Sequence, residues 1–124
     1  MGFTSAAASK PGYPRASVNA KVEILYFDGC PNHEGARELV ERVAGELGVT
    51  ASIEMVSVET SDDAQRLRFL GSPTVRVNGR DLEPGAEQRT EYIHACRVYR
   101  HATGFAGQPD EQWLRDALLT SDAD

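Results

Sequence analysis

The stretch Tyr26-Phe27-Asp28-Gly29-Cys30-Pro31-Asn32-His33, "YFDGCPNH", joins an apolar run to a helical pattern through a turn that carries a cysteine. Upstream, Val22, Ile24, Leu25, Tyr26 and Phe27 form a short run from Lys21, ended by Asp28-Gly29, as expected for a buried strand. Downstream, Ala36, Leu39, Val40, Val43 and Leu47 make one apolar helical stripe with Glu38, Glu41, Arg42 and Glu46 off it, and Gly48 supplies the stop. A strand that feeds a helix through a glycine turn puts Cys30 at the helix N-terminus, where unpaired backbone N–H groups favour an anion. Pro31 suits the first helical turn because its missing N–H has no partner there. The expectation is a thiol with a lowered pKa, with His33 one turn on to add a positive or hydrogen-bonding group. Without that chemistry, Cys30 reads as a small buried residue in the strand-to-helix corner and His33 as a solvated residue on an outer helix face.

The rest of the chain continues the alternation. "ASIEMVSVE" reads as a second strand; Ser61-Asp62-Asp63 reads as a helix start with Ala64, Leu67 and Leu70 as its apolar face and Gly71 as its end. "PTVRVNGRDLEP" is a hairpin signal around Asn78-Gly79. Between Gly85 and Gln108 the periodicity is poor, and "EYIHACRVYR" reads equally as a short helix or a strand. Pro109-Asp110-Glu111 opens a last helix with Trp113, Leu114, Ala117 and Leu118 on its apolar face. Residues 1–20 lack either period and are expected to form a flexible leader, with residues 21–120 as a single domain.

Strand, "GCPN" turn, helix, strand, helix, "SPT" and hairpin together resemble the thioredoxin fold from Lys21 to about Pro84, with the C-terminal helix completing it. The expected class is α/β and thioredoxin-like: βαβ followed by a helix, a β-hairpin and a C-terminal helix, with a central mixed sheet flanked by helices. The resemblance implies that Pro73 is cis, lies near Cys30 and shapes a substrate groove, with Thr74 beside it. "YFDGCP", "FLGSPTVRVNGRDLEP" and "CRVYR" further resemble a group of small bacterial thioredoxin-like proteins, the DF family, some members of which carry selenocysteine where this chain has Cys30. Some relatives in that group are labelled alkylmercury lyase. The chain departs from the usual Cys-x-x-Cys pattern, because His33 stands where the second cysteine would be.

Cys96 is the only other cysteine, and Arg97, Arg100, His94 and His101 surround it in sequence. Such a cluster can stabilise a thiolate or attract an anionic thiol such as glutathione; equally, Cys96 can be a buried small residue anchored by Ile93, Val98 and Tyr99. The functional reading is a thiol oxidoreductase with nucleophilic Cys30, with Cys96, Pro73 and His33 as the remaining site residues and a thiol or disulfide, of protein or small molecule, as substrate. The alternative is a soft-metal or organomercurial binding or cleaving protein using Cys30 and Cys96, with Asp28 as proton donor in the cleaving form; Asp28 reads otherwise as a turn residue. No resident metal or other cofactor is expected, since two isolated cysteines and His33, His94 and His101 lack paired zinc-ligand spacing. In 124 residues, 19 acidic side chains against 13 basic ones give a net charge of -6, which argues against a nucleic-acid partner. No apolar run has bilayer-spanning length and no secretory signal is visible, so no membrane partner and a cytoplasmic location are expected.

Overall fold

The computed structural model describes residues 19–101 and 104–120. A four-stranded mixed sheet is built from β1 (Asn19–Tyr26), β2 (Thr50–Ser57), β3 (Thr74–Val77) and β4 (Arg80–Asp81). Its order is β2-β1-β3-β4, with β1 parallel to β2 and antiparallel to β3, and β3 antiparallel to β4. Asn19 and Ala20 therefore belong to the first strand rather than to a leader, with Ala20 buried; the remainder of the expected leader lies outside the described residues.

The alternation of β1 sorts its side chains onto two cores. Val22 and Ile24, opposite Val77 and Val75, pack with Ala36, Val40 and Val43 of α1 (His33–Leu47) and Leu114 and Leu118 of α3 (Glu111–Thr120). Leu25 faces the other way, onto Val58, Ala64 and Phe69 around α2 (Ser61–Arg66). Each of these larger side chains, enclosed, contributes about 1.5–3 kcal/mol relative to exposure, so the sheet is clamped from both faces. No helix among the described residues is long and apolar enough to cross a membrane.

Local signals explain most boundaries. Gly48 ends α1 at φ 71°, and Asn78-Gly79 turns the hairpin at φ 52° and 87°. Thr60 caps α2 through its Oγ1, which accepts from Asp63 N at 3.0 Å. That helix stops at Arg66, earlier than the Gly71 expected from sequence, because Arg68 takes φ 56° and the Arg76 guanidinium donates to the carbonyls of Leu67 and Arg68 at 2.8 and 3.1 Å. The open segment resolves as a one-turn 3-10 helix (Ala86–Gln88), a strap over residues 92–98, and a separate antiparallel pair of β5 (Tyr99–His101) and β6 (Gly104–Ala106).

Candidate active site

Cys30 lies beneath the strap. The turn after β1 closes with Cys30 N donating to Phe27 O at 3.0 Å, and the thiol is 1% exposed. Asn32 is the N-cap of α1, so Cys30 and Pro31 both precede the helix rather than occupying its first turn. The Cys30 Sγ–H points at the carbonyl oxygen of Ser72, 3.5 Å away. His33 does not reach the thiol: its Nδ1 is 2.7 Å from Cys30 O, and its ring stacks on Tyr26 with centroids 4.4 Å apart. A carbonyl only accepts, so Nδ1 carries the hydrogen, and His33 braces the turn. Asp28 is exposed in that turn.

Ser72 precedes Pro73 through a cis peptide bond, and the strap pairs with it on both backbone atoms. Ser72 N donates to Ala95 O and Arg97 N donates to Ser72 O, each at 2.8 Å, which makes a parallel bridge between Ser72 and Cys96. The Ser72 carbonyl thus accepts from both the strap and the Cys30 thiol. Pro73 is buried below this bridge, so the flank expected to form an open groove is covered by the chain itself.

Cys96 is exposed, and the bridge to Ser72 brings it to the residue whose carbonyl faces the Cys30 thiol. Desolvation first, and then the neighbouring Cys30 thiol, push Cys96 above the ordinary thiol range. The expected support from nearby basic residues is not among the causes of this shift, and three of the four are engaged elsewhere, while Arg100 shares the outward face with Cys96. His94 Nε2 is 2.9 Å from Val58 O, His101 Nε2 is 2.7 Å from Gln108 O, and Arg97 is buried in an ion pair. Neighbours in an extended chain alternate sides, which is why sequence adjacency misled here.

Sequence reasoning missed Arg97 as the anchor of this strap. It is 3% exposed and donates from both terminal nitrogens to Asp81, at 2.8 and 3.0 Å, as well as to Glu83 at 2.7 Å and Thr74 Oγ1 at 3.0 Å. Burial alone would lower its pKa, but Asp81 and Glu83 outweigh that and hold the charged form above its ordinary value. The guanidinium also lies 4.3 Å from the centre of the Tyr99 ring, whose hydroxyl donates to Pro73 O. Burial pushes the Tyr99 phenol up, with Arg97 opposing only in part. Residues Cys96, Val98 and Arg100 face out while Arg97 and Tyr99 face in, a period of two that is visible in the sequence once an inward arginine is admitted. Gly71 permits the close approach: a Cβ there would stand 2.8 Å from Arg97 Cβ and 3.0 Å from its Cα. Among the described residues no cluster of three or more His, Cys, Asp or Glu is placed to hold a metal ion.

A strand, a cysteine-bearing turn and a helix against a mixed sheet, with a cis-proline loop touching the cysteine, define a thioredoxin-like arrangement. In agreement, the chain is 29% identical over 79 residues to a thioredoxin of Methanocaldococcus jannaschii, an alignment covering 62% of this chain and 92% of that protein. That likeness supports a thioredoxin-like relationship. No protein-family model matches the chain. No solved structure matches it.

Proposed function

We propose that the chain is a thiol–disulfide oxidoreductase whose working pair is Cys30 and Cys96. The observation that carries this reading is the convergence of both cysteines on Ser72: Cys30 Sγ contacts its carbonyl, and Cys96 is its bridge partner. The thioredoxin-like relationship points the same way, toward thiols and disulfides as substrates.

The sequence reading assigns the attacking role to Cys30. Its enclosure favours the opposite order, because exposed Cys96 meets a substrate first. The Cys96 thiolate attacks one sulfur of a substrate disulfide, forming a mixed disulfide and releasing the other half as a thiolate. The Cys30 thiolate then attacks Cys96 Sγ, releasing the second half and leaving a Cys30–Cys96 disulfide. Two electrons pass to the substrate, the protons of the two thiols go to the released thiolates, and an external thiol of the glutathione class restores the pair. Pro73 and His33 serve as frame: Pro73 carries the Ser72 peptide and His33 holds the Cys30 carbonyl.

The test is mild oxidation of the full chain followed by non-reducing peptide mapping. An intramolecular Cys30–Cys96 disulfide is expected. Intermolecular dimers alone, or a persistent sulfenic acid on Cys30 or Cys96, overturn the two-thiol cycle.

The same convergence of the two cysteines on Ser72 favours a second reading, a two-thiolate site for a soft cation such as Hg²⁺ or Cu(I). It requires a one-to-one Hg²⁺ adduct by native mass spectrometry that is lost on replacing either cysteine.

A further inference from the structure

Away from the thiols, a cavity of about 300 Å³ opens between the end of α2, the β3–β4 hairpin and the base of the strap. Arg68, Arg76, Arg80 and Arg89 all line it, together with Leu70 and Tyr92. In a chain of net charge -6 this is an unusual concentration of positive charge.

Most of the other described arginines are ion-paired, exposed Arg100 being an exception. Arg37, Arg42, Arg66 and Arg115 each pair with carboxylates on their own or a facing helix. Around the cavity, Arg89 pairs with Glu83 and Glu91, but Arg68 and Arg80 have no carboxylate within 4.0 Å among the described residues. Arg76 donates only to neutral carbonyls through a single terminal nitrogen, which holds the guanidinium in place while leaving its charge uncompensated. The lining carboxylates do not cancel this excess: Asp81 has both oxygens on Arg97, and Glu87 stands alone against three arginines. Among the described residues, Arg68 is also one of two non-glycine residues with positive φ, and unlike Asn78 it is not a residue type that favours that region.

We propose that this cavity binds a compact polyanion, a molecule bearing at least two phosphate or carboxylate groups. Guanidinium forks fit both oxyanions with paired hydrogen bonds. The size lies at the lower end of small-molecule pockets, which selects a small ligand rather than a polymer. Screening limits the repulsion from distant acidic residues to about 8–10 Å at ordinary salt, so the local arginines dominate inside the cavity.

Calorimetric titration of the full chain with inorganic pyrophosphate, and separately with citrate, tests the site and tells the two oxyanion sources apart. Saturable one-to-one binding of at least one probe is expected, weakening as salt rises. Arg68→Gln and Arg80→Gln, both at exposed positions, should each reduce affinity about tenfold, the worth of one charge-assisted contact. Arg66→Gln, outside the cavity and carrying the same charge change, should leave affinity unchanged, and thermal melts should show all three variants folded. Absence of saturable binding of both probes up to about 10 mM overturns the proposal. So does an equal loss in the Arg66 variant, which would reduce the effect to net charge.

Discussion

Cys96 sits directly across a parallel bridge from Ser72, the residue whose carbonyl receives the Cys30 thiol. Two cysteines far apart in sequence thereby share one backbone neighbour, one facing solvent and the other enclosed. Their unequal exposure gives the first prediction. In peptide-resolved alkylation with iodoacetamide, Cys96 should be modified well before Cys30. Because Cys96 is pushed upward, its rate should keep rising with pH and show no plateau below the ordinary thiol pKa of about 8.5. A plateau near neutrality, or faster labelling of Cys30, would refute this order.

Gly71 is where the strap presses closest to the body. Gly71→Ala places a Cβ 2.8 Å from Arg97 Cβ at a φ of 121°, a region that L side chains rarely adopt. A loss of roughly 1–3 kcal/mol is expected from the clash and the backbone strain. Displacement of the strap should also speed Cys30 alkylation relative to global unfolding. Denaturant melts and labelling at matched stability read the two effects separately; unchanged Cys30 protection sinks the account of the strap as its cover.

Arg97→Leu would leave Asp81 without its cation in a partly enclosed site, while Glu83 keeps Arg89. Breaking such a pair from one side costs about 3–5 kcal/mol. Arg97→Lys should recover only part of it, since an ammonium cannot make the paired contacts to Asp81. Urea denaturation decides, and a lysine variant as stable as the parent would show that the fork geometry is immaterial.

Ser72 is fully buried, and its Oγ has no hydrogen-bond partner. Removing an unsatisfied buried hydroxyl relieves a desolvation penalty of about 1–3 kcal/mol. Ser72→Ala should therefore be neutral or stabilising, in contrast to the usual cost of a substitution at a buried position. A fall in melting temperature on that change would count against the side chain being idle in the closed form.

On the far face, Glu111 is held down at about 2 by hydrogen bonds from Arg42 and Arg115, and Glu46 is lowered by the same two arginines, Arg115 first. A carboxylate lowered in the folded state contributes stability that is full above its ordinary pKa and lost as pH falls through the folded value. The α1–α3 contact should thus weaken from about pH 4.3 toward pH 2. Glu111→Gln should flatten that part of the profile, and salt should mimic it because the four side chains are substantially solvated. A Glu111 NMR titration midpoint at the ordinary value would remove the basis for this dependence.

The scaffold was legible in sequence wherever periodicity and turn chemistry agreed. The apolar stripes of α1 and α3, the run before Asp28-Gly29 and the Asn78-Gly79 turn all match the observed elements. Less legible was anything set by long-range contact. The period of two through Cys96–Arg100 was masked because its inward face carries an arginine, whose partners Asp81 and Glu83 lie in another element. Gly71 resembled a helix stop because a glycine required for close approach looks the same in sequence as one required for a cap. His33 was placed near the right residue but the wrong atom, the Cys30 carbonyl rather than its sulfur, a distinction that only coordinates make.

The Ser72 bridge has a consequence for who can approach. An extended peptide seeking the N–H and carbonyl of Ser72 meets a competitor tied to the same chain, with an effective concentration on the order of millimolar. Both backbone positions are already taken by Ala95 and Arg97, and the guanidinium lock on Asp81 makes the incumbent hard to evict. A small disulfide reaching only the outward sulfur of Cys96 never enters that contest. Under the proposed cycle, the covered Ser72 edge thus favours substrates that need least of it.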